Sequence, residues 1–150
     1  MLYSTYILLN KVLDSFGLTS ERLKIPLLTD SISAGFPSPA DNYTEENIDL
    51  NEHLISNPFS TFFLRVKGDS MLNAGIKDKD LIIVDKSLRA KPGNIVIAMI
   101  DGEFTIKRLS IKDNELYLKA ENHNYPDFRF QNHIDVQIWG VVIYSIHSYL

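Results

Sequence analysis

The 150-residue chain contains no cysteine. That absence excludes disulfides, thiolate nucleophiles and cysteine-bound metals together, and it is compatible with a reducing compartment. No apolar run approaches the roughly 18–20 residues needed to cross a bilayer; the run Ile95–Ile100 has the length of a strand. The N-terminus carries no positive leader ahead of its short apolar run, so no secretory signal is expected. Together these features predict a cytoplasmic protein with no membrane partner. Positive charge is also scarce. Fifteen Lys and Arg face nineteen Asp and Glu, a net charge of −4, which argues against a general nucleic-acid-binding surface, since that needs a basic stripe. Residues 1–34 are balanced, so the negative excess lies in 35–150.

Other sites are missing too. His53, His123, His133 and His147 show no His-x-x-x-His spacing. Asp78-Lys79-Asp80 begins like a calcium loop, but Val84 and Arg89 occupy its seventh and twelfth positions, where the twelfth needs a glutamate. There is no phosphate-binding glycine loop. Trp139 reads as core rather than as a base-stacking platform. Neither metal nor cofactor is expected.

What is present divides into an arm and a body. In residues 1–34, Leu9, Val12, Leu13 and Phe16 fall at helical spacing before Gly17, which predicts a short amphipathic helix over 6–16. From Ser31 to Pro39 two prolines and several small residues exclude a helix; the stretch is a flexible linker or an extended peptide able to lie in a cleft. A loop and short helix are predicted over 49–56, ending near Pro58. From Thr61 onward the body reads as strands at 61–66, 81–85, 94–100, 103–109, 115–120 and 136–146. Asp101-Gly102 is the clearest turn, a two-residue hairpin with glycine supplying positive φ. Short strands and frequent turns predict a mostly β, antiparallel body, barrel-like or a sandwich, with 45% hydrophobic residues to fill its core.

Two stretches stand out within the body. Gly68-Asp69-Ser70-Met71 follows the apolar run Phe62–Val66 and places a serine in a tight turn. Such a serine either serves turn chemistry or acts as a nucleophile, with the N–H groups of Asp69 and Ser70 directed into one concavity as an oxyanion hole requires. In Gly102–Lys107, alternation puts Phe104 and Ile106 on one face and Glu103, Thr105 and Lys107 on the other. Lys107 is then either a solvated strand lysine or, if another segment such as the arm roofs that face, a general base whose pKa is lowered by burial. A serine and a neutral lysine suffice for amide cleavage without a histidine.

Several motifs together, Ala34–Asp41, Gly68–Met71, Gly75-Ile76, Asp80–Asp85, Gly93–Ala98, Asp101–Leu109 and Trp139–Ile143, resemble the LexA/UmuD family of self-cleaving serine peptidases over about residues 33–146. The resemblance implies a compact antiparallel β peptidase fold with an extended N-terminal arm. It implies Ser70 as nucleophile, Lys107 as base, Asp69 and Ser70 as oxyanion donors, and Ala34–Gly35 as the bond cut, dividing the chain into an arm, 1–34, and a peptidase-fold domain, 35–150. It further implies an SOS-response role: cleavage stimulated by a RecA filament on single-stranded DNA, and a homodimeric product that joins UmuC as accessory subunit of an error-prone translesion polymerase. The arm is too short for a helix-turn-helix domain plus linker, so no direct sequence-specific DNA binding is expected. The alternatives are a regulatory module that binds a polymerase without being processed, and a phage- or plasmid-encoded relative that cleaves repressors in trans.

Overall fold

The computed structural model describes residues 23, 25–28, 34–35, 45–130 and 135–150. The helix expected at 6–16 lies outside these residues, as does most of the 31–39 stretch. The chain divides into two units, Met1–His53 and Leu54–Leu150. In the first, β1 (Ile25–Leu28) pairs antiparallel with β2 (Glu45–Ile48), from Ile25 opposite Ile48 to Leu28 opposite Glu45. Among the described residues this ladder has two strands, and Pro26 is tolerated on such an edge strand. Helix α1 (Leu50–Leu54) follows; Asp49 caps it, its carboxylate accepting from the Asn51 N–H at 2.9 Å.

The second unit is built on one seven-stranded antiparallel sheet. Its strands are β3 (Thr61–Arg65), β4 (Leu81–Asp85), β5 (Ile95–Ile100), β6 (Glu103–Lys112), β7 (Glu115–Lys119), β8 (Phe128–Arg129) and β9 (Val136–Ile146), in the order β3-β4-β9-β5-β6-β7-β8. The mostly β, antiparallel body expected from the sequence is therefore present, with β3 and β8 at its edges. Both faces of the sheet are covered. Val66, Met71, Ile76, Ile82, Val84 and Ile97 form one core cluster; Val96, Ala98, Leu109, Leu118 and Val141 form another. Neighbours in β5 alternate between the two clusters, which explains why Ile95–Ile100 is a continuous apolar run and not an alternating one.

Two turns fix the register of β5 to β7. Asp101 and Gly102 both have positive φ, 49° and 87°, and so do Asp113 and Asn114, 52° and 64°. Such pairs match the twist of two-residue hairpins, and they set Ile100 opposite Glu103 and Lys112 opposite Glu115. Strand β9 carries irregularities against both neighbours, at Ile83/Val84 and at Ile97/Ala98. Gly140 lies at the second. A Cβ there would stand 2.6 Å from Val84 Cγ1 and 3.3 Å from the Asp85 carbonyl oxygen, so close packing reserves the position for glycine.

Candidate active site

The loop after β3 is tied down before it reaches Ser70. The Val66 N–H donates to the Asp80 carbonyl at 2.9 Å, and the Lys79 N–H donates back to Val66 at 2.9 Å. Gly68 then turns with φ of 91°, a conformation that disfavours a side chain, while its N–H donates to Asp78 Oδ1 at 2.7 Å. Met71, 1% exposed, anchors the far side of the turn in the core, and a 3₁₀ turn follows at Leu72–Ala74. Ser70 is thus held half-buried between a pinned glycine and a buried methionine.

Lys107 arrives from β6, opposite Val96 of β5. It is only 4% exposed. Its Nζ stands 3.3 Å from Ser70 Oγ, 3.1 Å from Thr105 Oγ1 and 3.0 Å from the Ile106 carbonyl oxygen. The structure thus brings Ser70 and Lys107 into hydrogen-bonding contact. Of the two readings of Lys107, the solvated one fails, because its face of β6 is the face of the second core cluster. Part of its cover is Phe128 of β8, whose ring centroid lies 5.7 Å from Nζ. Burial pushes the Lys107 pKa below its ordinary value, against the opposing pull of the Asp127 carboxylate.

The three oxygens around Nζ are not equivalent. A neutral amine has two N–H donors and one lone pair. The Ile106 carbonyl can only accept, and the Thr105 hydroxyl is placed to accept as well. In the ammonium Nζ donates to Ser70 Oγ; in the neutral amine the lone pair is left for the Ser70 hydroxyl to donate to. This is the arrangement a general base needs with a nucleophile.

Asp69 is exposed. Its carboxylate accepts from the Tyr125 hydroxyl, and Asn122 Nδ2 donates to its backbone carbonyl at 3.0 Å and to Oδ2 at 3.3 Å. Among the described residues the amide N–H groups of Asp69 and Ser70 have no hydrogen-bond partner. Ala34 and Gly35 belong to the other unit, where both are exposed in a bend. Beside the site is a cavity of about 270 Å³ lined by residues that include Asn73, Glu121, Asn122, Tyr125 and Asp127. Among the described residues no group of His, Cys, Asp and Glu side chains could hold a metal ion, and no helix is long and apolar enough to cross a membrane.

Thr105, Asn122, Tyr125, Asp127 and Phe128 were not singled out by sequence reasoning. Thr105 carries a signal in retrospect, two residues from Lys107 on the same face of a strand. The others lie in Glu121–Phe128, a polar stretch with a proline that reads only as loop.

Comparison with known proteins converges on one family. Residues 26–143 match the family described as Peptidase S24-like. The chain is 45% identical over 122 residues to Protein ImpA of Escherichia coli, covering 81% of this chain and 83% of that protein. It is 48% identical over 123 residues to Protein SamA of Salmonella typhimurium, covering 82% and 85%. It is 39% identical over 115 residues to the LexA repressor of Shewanella denitrificans, covering 75% of this chain but 56% of the repressor.

Proposed function

Because the chain belongs to the peptidase S24-like family, we propose that it is a self-cleaving serine peptidase of the SOS response, with Ser70 as nucleophile and Lys107 as base. The observation that carries this reading is the 3.3 Å contact between Ser70 Oγ and a Lys107 amine that is 4% exposed.

The chemistry proceeds in two stages. The neutral Lys107 amine takes the Ser70 proton while Oγ attacks the Ala34 carbonyl carbon. The Asp69 and Ser70 N–H groups, which have no other partner among the described residues, donate to the oxyanion. As the C–N bond breaks, the Lys107 ammonium gives its proton to the leaving Gly35 nitrogen. Water, deprotonated by the same amine, then attacks the Ser70 ester, and the ammonium returns the proton to Oγ. Burial of Lys107 serves this cycle directly, because it lowers the pKa and so raises the share of the neutral amine that begins it.

The products are fragments 1–34 and 35–150. A RecA filament on single-stranded DNA stimulates cutting by favouring the state in which the arm is seated at the dyad. The shortened chain, as a homodimer, joins UmuC as a polymerase accessory subunit. The protein acts in the cytoplasm.

Intact-mass measurement tests the reading. Purified chain held at pH 10, or at neutral pH with RecA on single-stranded DNA, yields the two fragments; Ser70→Ala yields neither. A folded chain that stays whole under both conditions refutes self-processing and favours a module that binds its polymerase uncut.

A further inference from the structure

Two parts of the Ser70–Lys107 pair come from elements far apart in the chain, and the hydrogen bond between them does not by itself hold them at working distance. Something must brace the turn against the strand. The segment after β7 touches both. On the strand side, Glu121 Oε1 accepts from Arg108 Nε at 2.6 Å, next to Lys107. On the turn side, the Glu121 carbonyl accepts from the Asn73 N–H at 2.8 Å. Asn122 Nδ2 donates to both the backbone carbonyl and the carboxylate of Asp69, and the Tyr125 hydroxyl donates to the same carboxylate.

The segment is also braced within itself. The Tyr125 N–H donates to the Asn122 carbonyl at 3.1 Å, and the Asn124 N–H donates to Asn122 Oδ1 at 3.1 Å. The Ala120 N–H donates to Asp127 Oδ1 at 3.1 Å. A closed circuit results: Lys107 to Arg108 along the chain, across to Glu121, along to Asn122, across to Asp69 and along to Ser70.

We propose that Asn122 and Tyr125 are positioning residues that act through Asp69 to hold the nucleophile turn, and with it the two oxyanion N–H groups, in the reactive geometry. The proposal rests on the Ser70–Lys107 reading above. The two contacts divide the work. Asn122 bridges the main chain and side chain of Asp69 and so fixes the peptide that precedes Ser70. Tyr125 holds the other carboxylate oxygen and limits rotation of the side chain. Neither residue touches the Lys107 amine in this structure, whose oxygen partners are Ser70, Thr105 and Ile106. The bracket therefore governs how well the pair reacts, not when the lysine loses its proton. Its hydrogen bond to Asp69 raises the Tyr125 pKa above the ordinary tyrosine value, so the phenol keeps its proton, and with it the contact, further into the alkaline range than a free tyrosine would.

The test measures first-order self-cleavage of the full chain from pH 7 to 11 in the parent, Asn122→Ala, Tyr125→Phe and the double variant. Each single change lowers the alkaline plateau roughly tenfold or more, the size expected for one lost charge-assisted hydrogen bond, while the midpoint of the pH profile stays in place. In a Ser70→Ala background, which keeps the chain whole, hydrogen exchange at the Leu72 and Asn73 amides, which donate to the Asp69 and Glu121 carbonyls, accelerates by a similar factor in the variants, with the global unfolding midpoint kept. Plateaus within twofold of the parent and unchanged exchange overturn the bracket alone. A shifted pH midpoint also overturns it, by showing that the variants act on the lysine. A parent that does not cut at any pH removes the Ser70–Lys107 reading and the bracket's catalytic role with it, a result distinct from an active parent with equally active variants.

Discussion

Thr105→Val isolates the part that one hydroxyl plays in setting the proposed base. Valine keeps the shape of threonine and its preference for a strand, but it removes the acceptor 3.1 Å from Lys107 Nζ. The ammonium and the amine do not lose equally. The charged form loses a hydrogen bond worth about 1.5–3 kcal/mol, and the neutral form one of about 0.5–1.5 kcal/mol. The difference, about 1 kcal/mol or slightly more, lowers the Lys107 pKa by roughly 0.7–1 unit at about 1.4 kcal/mol per unit. The amine also loses one of two contacts that aim its lone pair at Ser70. Self-cleavage followed against pH therefore shows two changes at once. The midpoint moves to lower pH by something under one unit, and the alkaline plateau falls several-fold. Near neutrality the two effects oppose each other, so a single-pH assay would miss them. A midpoint that stays still or moves upward refutes the assignment of Thr105 as an acceptor for the ammonium.

Three further outcomes follow from packing and charge. Lys107→Met abolishes cutting and raises the unfolding temperature at pH 7: the folded pKa of Lys107 is lowered, so the folded chain pays for the charged form below that pKa, and the advantage of methionine shrinks as pH climbs toward the ordinary lysine value; thermal melts at pH 7 and 10 compare the two. Gly140→Ala, in the Ser70→Ala background, forces a Cβ to within 2.6 Å of Val84 Cγ1 and costs about 1–3 kcal/mol, read as a lower urea midpoint with unchanged slope; an unaltered midpoint means β9 relaxes freely at its irregularity. Asp80 and Asp85 are both buried, and burial alone would raise their pKa values. The Lys77 N–H, His147 and Ser145 at Asp80, and Ser60 and Ser87 at Asp85, outweigh it and lower both. Their stabilisation is complete above the ordinary aspartate value and disappears as pH falls through the lowered ones, so urea midpoints of Asp80→Asn and the parent converge only below about pH 4.

The strands of the body were legible because apolar runs and turn residues coincide. Phe62–Val66, Leu81–Asp85 and Ile95–Ile100 stand between glycine, proline and aspartate signals, and the Asp101-Gly102 hairpin formed where its chemistry requires. The burial of Lys107 was not legible. Alternation identifies which residues share a face, but not whether that face is wet, and here both faces of the sheet carry core. The pair β1 and β2 was hidden for a different reason: Pro26 and Glu45-Glu46 are poor strand formers, and only their mutual pairing makes them one. At the site, Ser70 and Lys107 emerged from local sequence together with the family resemblance. Asn122 and Tyr125 reach Asp69, and Phe128 reaches Lys107, only through tertiary structure, so no spacing rule could find them.

The strand pair β1–β2 brackets in sequence the bond proposed for cutting, with Ile25–Leu28 before it and Glu45–Ile48 after. While the backbone is whole, the tether keeps the two strands at a local concentration on the order of millimolar. Hydrolysis at the proposed bond would sever the tether and leave, among the described residues, four rungs between the two fragments, and a two-stranded ladder alone is marginal in water. An arm held by those rungs alone would then leave by dilution. Loss of the arm would remove religation and make the cut a one-way commitment.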